Sequence, residues 1–279
     1  MTPTIGVVTD SNSQITRDLV ERYGVEVVPM TVTIDGIDYA EGVDLDADGF
    51  YEHFSEGVRP EVSTSQPPPG AFIDAYQRLI ERGCDEIVSI HIAEAMSGTI
   101  GSATLAAEAV SAPVHVVDTG SASYGVSVCV WAAGAVLASG GRPDDVRRRI
   151  ADLMPRIGTA FMVGVPHLTE RGGRAADVEL DGDGIPVLAM CDGSLEVLER
   201  VSTVEDTVDV MAGYVAGWGE RVTAAIGTAD EPSRRLTEML GAALAAAANV
   251  DDVVHYRVGP SVGAHTGPGT FGLFVFPTI

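Results

Sequence analysis

Apolar residues in the first half of the chain change period at short intervals. "TIGVVTD" (4–10) is a short β-branched run ending at Asp10 and Ser11, which predicts a strand. "SQITRDLVERYG" (13–24) spaces Ile15, Leu19 and Tyr23 four apart and stops at Gly24, which predicts a helix. "VEVVPMTVTIDG" (25–36) alternates and closes on Asp-Gly, as one strand would. "DADGFYEHFSEG" (46–57) reads as a short helix, and "GAFIDAYQRLIERG" (70–83) sets Phe72, Tyr76, Leu79 and Ile80 on one helical face. A strand at 85–92, a helix at 98–110 and a strand at 113–119 follow. Two helices come next, 124–139 and 143–155, with Pro143 in the first turn of the second. Strands alternating with helices at this spacing predict a mainly parallel sheet covered on both faces.

The second half has another texture. "TAFMVGV" (159–165) is a strand, and "LTERGGRAADV" (168–178) is broken by Gly-Gly. "GIPVLAMCDGSLEVLERVST" (184–203) reads as a hairpin around Asp192-Gly193. A helix (204–217), a strand (221–227), an Ala-rich helix (232–248) and a strand (252–258) precede a final strand, "FGLFVFP" (271–277). The expectation is an α/β chain of two domains. Residues 1–157 carry the mainly parallel sheet, and 158–279 carry a mixed sheet with helices.

Composition narrows the function classes. A hydrophobic share of 46% supplies material for true cores and argues against disorder. The formal charge of −23 opposes binding to a phosphate backbone, so nucleic acid is not an expected partner. No run reaches the roughly 18 apolar residues of a membrane span. The longest, 126–140 and 240–250, read as buried helices, and stable membrane insertion is not expected. The opening residues lack the charged start and apolar run of a signal peptide. Cys84, Cys129 and Cys191 are far apart and form no CxxC pair, so neither a disulfide framework nor a zinc site is favoured. A cytoplasmic location fits, and no cofactor is expected.

Three polar loops could carry chemistry. "VSTSQPPPG" (62–70) offers Ser63, Thr64 and Ser65 on a backbone stiffened by three prolines, and equally suits a solvated turn before a helix. "AEAMSGTIGSA" (93–103) sets Ser97 and Thr99 at a helix start, where free N–H groups attract an anion. A simple serine cap fits there too. It contains neither GxxxxGK[ST] nor GxGxxG. "GPSVGAHTGPGTFG" (259–272) surrounds His265 and Thr266 with Gly and Pro, as a rigid loop would. The remaining histidines have no HxxxH or HxH spacing, so a metal is not expected. A Ser–His–acid triad lacks the GxSxG elbow that would announce it.

"VTDS" (8–11), "TSQPPPG" (64–70), "MSGT" (96–99), "ERGGR" (170–174) and "GPSVGAHTGPGTFG" (259–272), in this order and spacing, resemble the DegV family over the whole chain. The resemblance implies a two-domain α/β fold enclosing one long-chain fatty acid. It further implies a carrier subunit of bacterial fatty acid kinase, not an enzyme by itself, with no catalytic residue of its own. Thr64 and Ser97 would bind the carboxylate, with His265 and Thr266 near the head group. Arg174 would contact phosphate or the kinase, a partner resembling dihydroxyacetone kinases that makes acyl phosphate. A surface ion pair is the other reading of Arg174. The chain departs from the family at Pro68, where Ser is frequent, and at Ser202, where many members carry Arg and this chain has Arg200 two residues earlier. The alternatives are a small hydrolase or acyltransferase using Ser97 or His265, and a lipid sensor without a kinase.

Overall fold

The computed structural model describes residues 4–165, 168, 182–191, 194–218 and 220–279. The chain divides into two compact units, one of residues 1–45, 61–154 and 279, the other of 46–60 and 155–278. A single cut near 157 does not express this exchange, because 46–60 goes with the second unit.

The first unit begins with β1 (Ile5–Asp10), α1 (Arg17–Tyr23), β2 (Glu26–Val28), β3 (Thr31–Ile34) and β4 (Ile37–Ala40). After α2 (Ala47–Glu52), which belongs to the other unit, come β5 (Val62–Ser65), α3 (Pro69–Glu81), β6 (Glu86–His91) and α4 (Thr99–Ala107). Then follow β7 (Val114–Asp118), α5 (Tyr124–Ala138) and α6 (Pro143–Leu153). Strands β2-β1-β6-β7 form an all-parallel sheet in that order. Its apolar strands pack against α3 and α4 through Val8, Phe72, Tyr76, Leu79, Ile87 and Ala103. Each large side chain of this kind contributes about 1.5–3 kcal/mol on burial. Helix α5 is buried over most of its surface, in keeping with the unbroken apolar run from 126.

Three expectations need correction here. The strand expected over 25–36 is two strands in two sheets, parted at Pro29, which has no N–H for a ladder. Asp35 and Gly36 then take φ of 48° and 80° and turn β3 into the antiparallel β4, the backbone that an Asp-Gly hairpin favours. The loop expected from residue 62 opens with a strand, because β5 pairs antiparallel with β3. Its alternation is of polar residues and so escapes a search for apolar period. The helix expected from 13 starts at Arg17, after a single 3-10 turn at Ser11–Ser13.

The second unit holds β8 (Gly158–Met162), β9 (Ile185–Cys191), β10 (Ser194–Val201), α7 (Asp206–Ala216), β11 (Val222–Thr228), α8 (Glu231–Ala245), β12 (Val250–Arg257), α9 (Pro260–Thr266) and β13 (Phe271–Pro277). Its sheet runs β10-β9-β8-β13-β11-β12, antiparallel except for β11 with β12. The α/β class, a parallel sheet and a mixed sheet, is as the residue pattern indicates. The strands at 184–203 pair as expected, while the proposed turn residues Asp192 and Gly193 lie outside the described residues. The Ala-rich stretch from 240 is not a buried helix throughout. Helix α8 buries Leu236, Leu240 and Leu244, leaves Ala245 exposed, and ends there. Helix α2 is tied to this unit by Tyr51, whose hydroxyl donates to the Val258 carbonyl at 3.0 Å, and by Asp48, 2.7 Å from Arg257. Among the described residues, no helix is long and apolar enough to cross a membrane.

Candidate ligand site

Strand β5 places Thr64 opposite Val32 of β3, so its side chain shares the face of Val32 and Ile34 and is half-buried. Ser63 and Ser65 point the other way and are exposed. Past the strand, Gln66 reaches the loop before α4. The end of its side chain lies against Gly98, where a Cβ would come within 2.8 Å of Gln66 Nε2. The two hydroxyl-bearing segments that sequence singled out in this unit are therefore in contact.

The loop carrying Ser97 is fixed at its root. The Ile92 N–H donates to Asp10 Oδ2 at 3.1 Å, the Ala93 N–H to the Ser121 carbonyl at 2.8 Å, and the N–H groups of Met96 and Ser97 to the Ala93 carbonyl. Ser97 emerges half-buried, one residue before the Gly98 cap of α4. Its hydroxyl lies 2.8 Å from the Thr99 hydroxyl, and Thr99, at the first helical position, is fully buried. Hydroxyls beside the free N–H groups of a helix start make a place for an anion.

Behind this loop stands a group of residues that the sequence reading did not single out. Asp10 and His91 end the adjacent strands β1 and β6, next to the paired residues Thr9 and Ile90. Asp10 Oδ2 is 2.9 Å from His91 Nδ1, His91 Nε2 is 2.6 Å from Ser89 Oγ, and Ser89 Oγ is 2.9 Å from the Tyr76 hydroxyl. This is the connectivity of a Ser–His–Asp triad, yet all three side chains are fully buried. Burial also pushes the Tyr76 phenol up to about 12, against a smaller lowering by its bond to Ser89. A nucleophile must be reached by its substrate, and Ser89 is not. The available signal was polar residues at alternate positions, Ser89 and His91, inside an apolar strand.

In the second unit, the segment expected as a rigid loop is largely helix. Gly259 caps α9 and Pro260 opens it. His265 and Thr266 occupy its last turn, both half-buried. Gly263 lets α9 pack close on α2, since a Cβ there would meet Phe50 and the Tyr51 hydroxyl at 2.7 Å. Thr266 Oγ1 donates to the Val262 carbonyl at 3.2 Å, and the Thr266 carbonyl accepts from the Val165 N–H and the Thr270 hydroxyl, each at 2.9 Å. Gly267 leaves the helix with φ of 79°, and the Gly269 N–H donates to Asp230, the cap of α8, at 2.9 Å. The structure thus places Thr64 with Ser97 in one unit and His265 with Thr266 in the other. Arg174 and its "ERGGR" segment lie outside the described residues.

Arg200 and Ser202 line a surface groove of about 680 Å³ with Asp206, Asp209 and Tyr214. Its acidic members do not suit an alkyl chain. Among the described residues, no group of three or more His, Cys, Asp or Glu is arranged to hold a metal ion.

Comparison with known proteins gives concordant results. The family model of the uncharacterised DegV proteins matches residues 4–278. A DegV domain-containing protein of Streptomyces coelicolor is 31% identical over 280 residues, covering 97% of this chain and 98% of its own. A fatty-acid-binding DegV family protein from Thermus thermophilus superposes with a TM-score of 0.87 at 30% identity, over 99% of this chain and all of that one (100%). DegV of Bacillus subtilis, described as a fatty acid binding protein, shares the fold with a TM-score of 0.86 at 23% identity, over 99% of this chain and 100% of its own.

Proposed function

The chain belongs to the DegV family, and from that premise we propose that it binds one long-chain fatty acid and presents the carboxylate to a separate kinase. The carboxylate is held by the hydroxyls of Thr64 and Ser97 at the start of α4, and the acyl tail lies in an apolar tunnel. The observation that carries this reading is the contact of Gln66 with Gly98, which joins the Thr64 and Ser97 segments. The fatty-acid-binding relative from Thermus thermophilus supports the ligand class. A carboxylate taken from water needs charge-assisted donors, which hydroxyls and helix N–H groups supply. The tail contributes about 0.8 kcal/mol for each methylene buried.

His265 and Thr266 serve the head group. His265 offers a donor N–H in either charge state, and Thr266 holds the end of α9 through its bond to Val262. Arg174 meets phosphate or the kinase. The kinase resembles dihydroxyacetone kinases and converts the bound acid to acyl phosphate. This chain is the carrier and not the kinase. It contains no lysine at all, so it cannot form the phosphate-binding lysine loop of P-loop enzymes. It acts in the cytoplasm.

The test is binding of hexadecanoic acid against hexadecanol. Ser97→Ala and Thr64→Ala should each weaken the acid by about 1.5–3 kcal/mol, the range for a bond to a charged group, and weaken the alcohol less. Equal losses for both ligands would refute the assignment. Failure of the wild-type protein to bind the acid would refute the function itself.

A further inference from the structure

Thr99 sits between two acceptors of unequal strength. Ser97 Oγ lies 2.8 Å from Thr99 Oγ1 on one side. On the other, Thr99 Oγ1 donates to Met30 Sδ at 3.8 Å. Thr99 is fully buried and Met30 is 4% exposed, so water does not compete for the contact to sulfur. Met30 is itself fixed, because its N–H donates to Ser11 Oγ at 2.9 Å, and Ser11 in turn donates to Glu41.

Each hydroxyl has one proton, so the pair has two arrangements. In one, Ser97 donates to Thr99 and Thr99 donates to the sulfur. In the other, Thr99 donates to Ser97, and the Ser97 proton is released to an outside acceptor. A thioether is a weak acceptor. Passing from the first arrangement to the second therefore gives up only the weak O–H···S contact and keeps the strong O–H···O one. An anion beside Ser97 selects the second arrangement, and a hydroxyl that accepts a hydrogen bond donates more strongly.

We propose that Thr99 is a positioning residue that turns Ser97 into a donor for the anionic head group, with the Met30 sulfur as the resting acceptor of the empty protein. The inference rests on the reading that Ser97 bonds the carboxylate, and deepens it. An oxygen in place of the sulfur would hold the Thr99 proton more firmly and oppose the reversal.

The experiment compares dissociation constants for hexadecanoic acid and hexadecanol in the wild-type protein and four variants, at a temperature where all are folded. In Thr99→Val the shape is kept and the donor removed. The acid-to-alcohol affinity ratio should fall about 3–10-fold, less than in Ser97→Ala. In Thr99→Ser the hydroxyl returns, and the ratio should come within about 2-fold of wild type. In Met30→Leu the resting acceptor is gone, and the ratio should hold or rise. A purely structural role for Thr99 would lower thermal stability and weaken both ligands equally. If Ser97→Ala lowers the ratio while Thr99→Val leaves it unchanged, this inference alone is wrong. If Ser97→Ala also leaves it unchanged, the carboxylate assignment falls and the inference with it. Should Thr99→Val fail to fold, a fall of the ratio in Met30→Leu overturns the proposal, and a ratio held or raised there, with Thr99→Ser near wild type, supports it.

Discussion

His91 Nδ1 stands 2.9 Å from Asp10 Oδ2, and neither side chain is reached by solvent. The pair joins the ends of two neighbouring parallel strands and, through the Ile92 N–H, roots the loop that leads to Ser97. Removing one partner of a buried hydrogen bond leaves the other with the full cost of its desolvation. Asp10→Ala leaves two buried groups unpaired, His91 Nδ1 and the Ile92 N–H, and should therefore cost about 2–6 kcal/mol in urea unfolding, whereas Ser89→Ala should cost about 1–3 kcal/mol. A loss under 1 kcal/mol for Asp10→Ala would mean that the pair does not hold the strand ends.

Ser89 has the partners of a nucleophile and the burial of a core residue. A fluorophosphonate probe should leave Ser89 unlabelled in the folded protein, as mass spectrometry of its peptide will show. Labelling there would reveal an accessible triad.

Gly164 and Pro268 meet backbone to backbone. A Cβ on Gly164 would fall 1.7 Å from the Pro268 carbonyl oxygen, and no flexible side chain can yield there. Gly164→Ala should destabilise the second unit by about 1–3 kcal/mol or more, the range for overpacking. Gly213, exposed in α7 with open space around its Cβ position, should respond oppositely. Gly213→Ala should stabilise by about 0.5–1 kcal/mol. Urea midpoints of the two variants check both signs.

Alkaline pH should destabilise the first unit. Burial pushes both the Cys129 thiol and the Tyr76 phenol up to about 12, from ordinary values of 9.0 and 10.0. Both groups are neutral when protonated, so the folded state holds its protons longer than the unfolded chain does. The stability they contribute is complete below pH 9 and is lost as pH rises toward 12. Melting temperatures measured from pH 8 to 12 should fall, and Cys129→Ala should flatten the fall. An unchanged slope in that variant would show that the thiol ionises freely in the folded state.

The thiols should also differ toward alkylation. Cys129 is buried and Cys84 half-buried with its thiol raised, chiefly by burial. With iodoacetamide at neutral pH, peptide mapping should find Cys84 modified slowly and Cys129 only on unfolding. Early modification of Cys129 would indicate that α5 opens in the native state.

The sequence by itself determined the elements that local physics dictates. The apolar period of 70–83 became α3, the β-branched runs at 4–10 and 85–92 became β1 and β6, and the unbroken apolar stretch from 126 became a helix without a polar face. The order of five short motifs was enough to indicate the family, because glycine and proline at fixed places are demanded by backbone geometry. Tertiary structure decided what depends on distant partners. Strand β5 exists because β3 lies beside it, although its own residues are too polar to reveal an apolar period. Helix α9 forms through a run containing Gly263 because packing on Phe50 and Tyr51, two hundred residues earlier, outweighs the weak helix propensity of glycine. The assignment of 46–60 to the second unit has the same origin, since Asp48 and Tyr51 find Arg257 and Val258 there. Asp10, Ser89 and His91 came together only through the register of two strands 81 residues apart. A local pattern reports what each residue does to its own backbone. Which buried donor meets which acceptor is set by the chain folding back on itself.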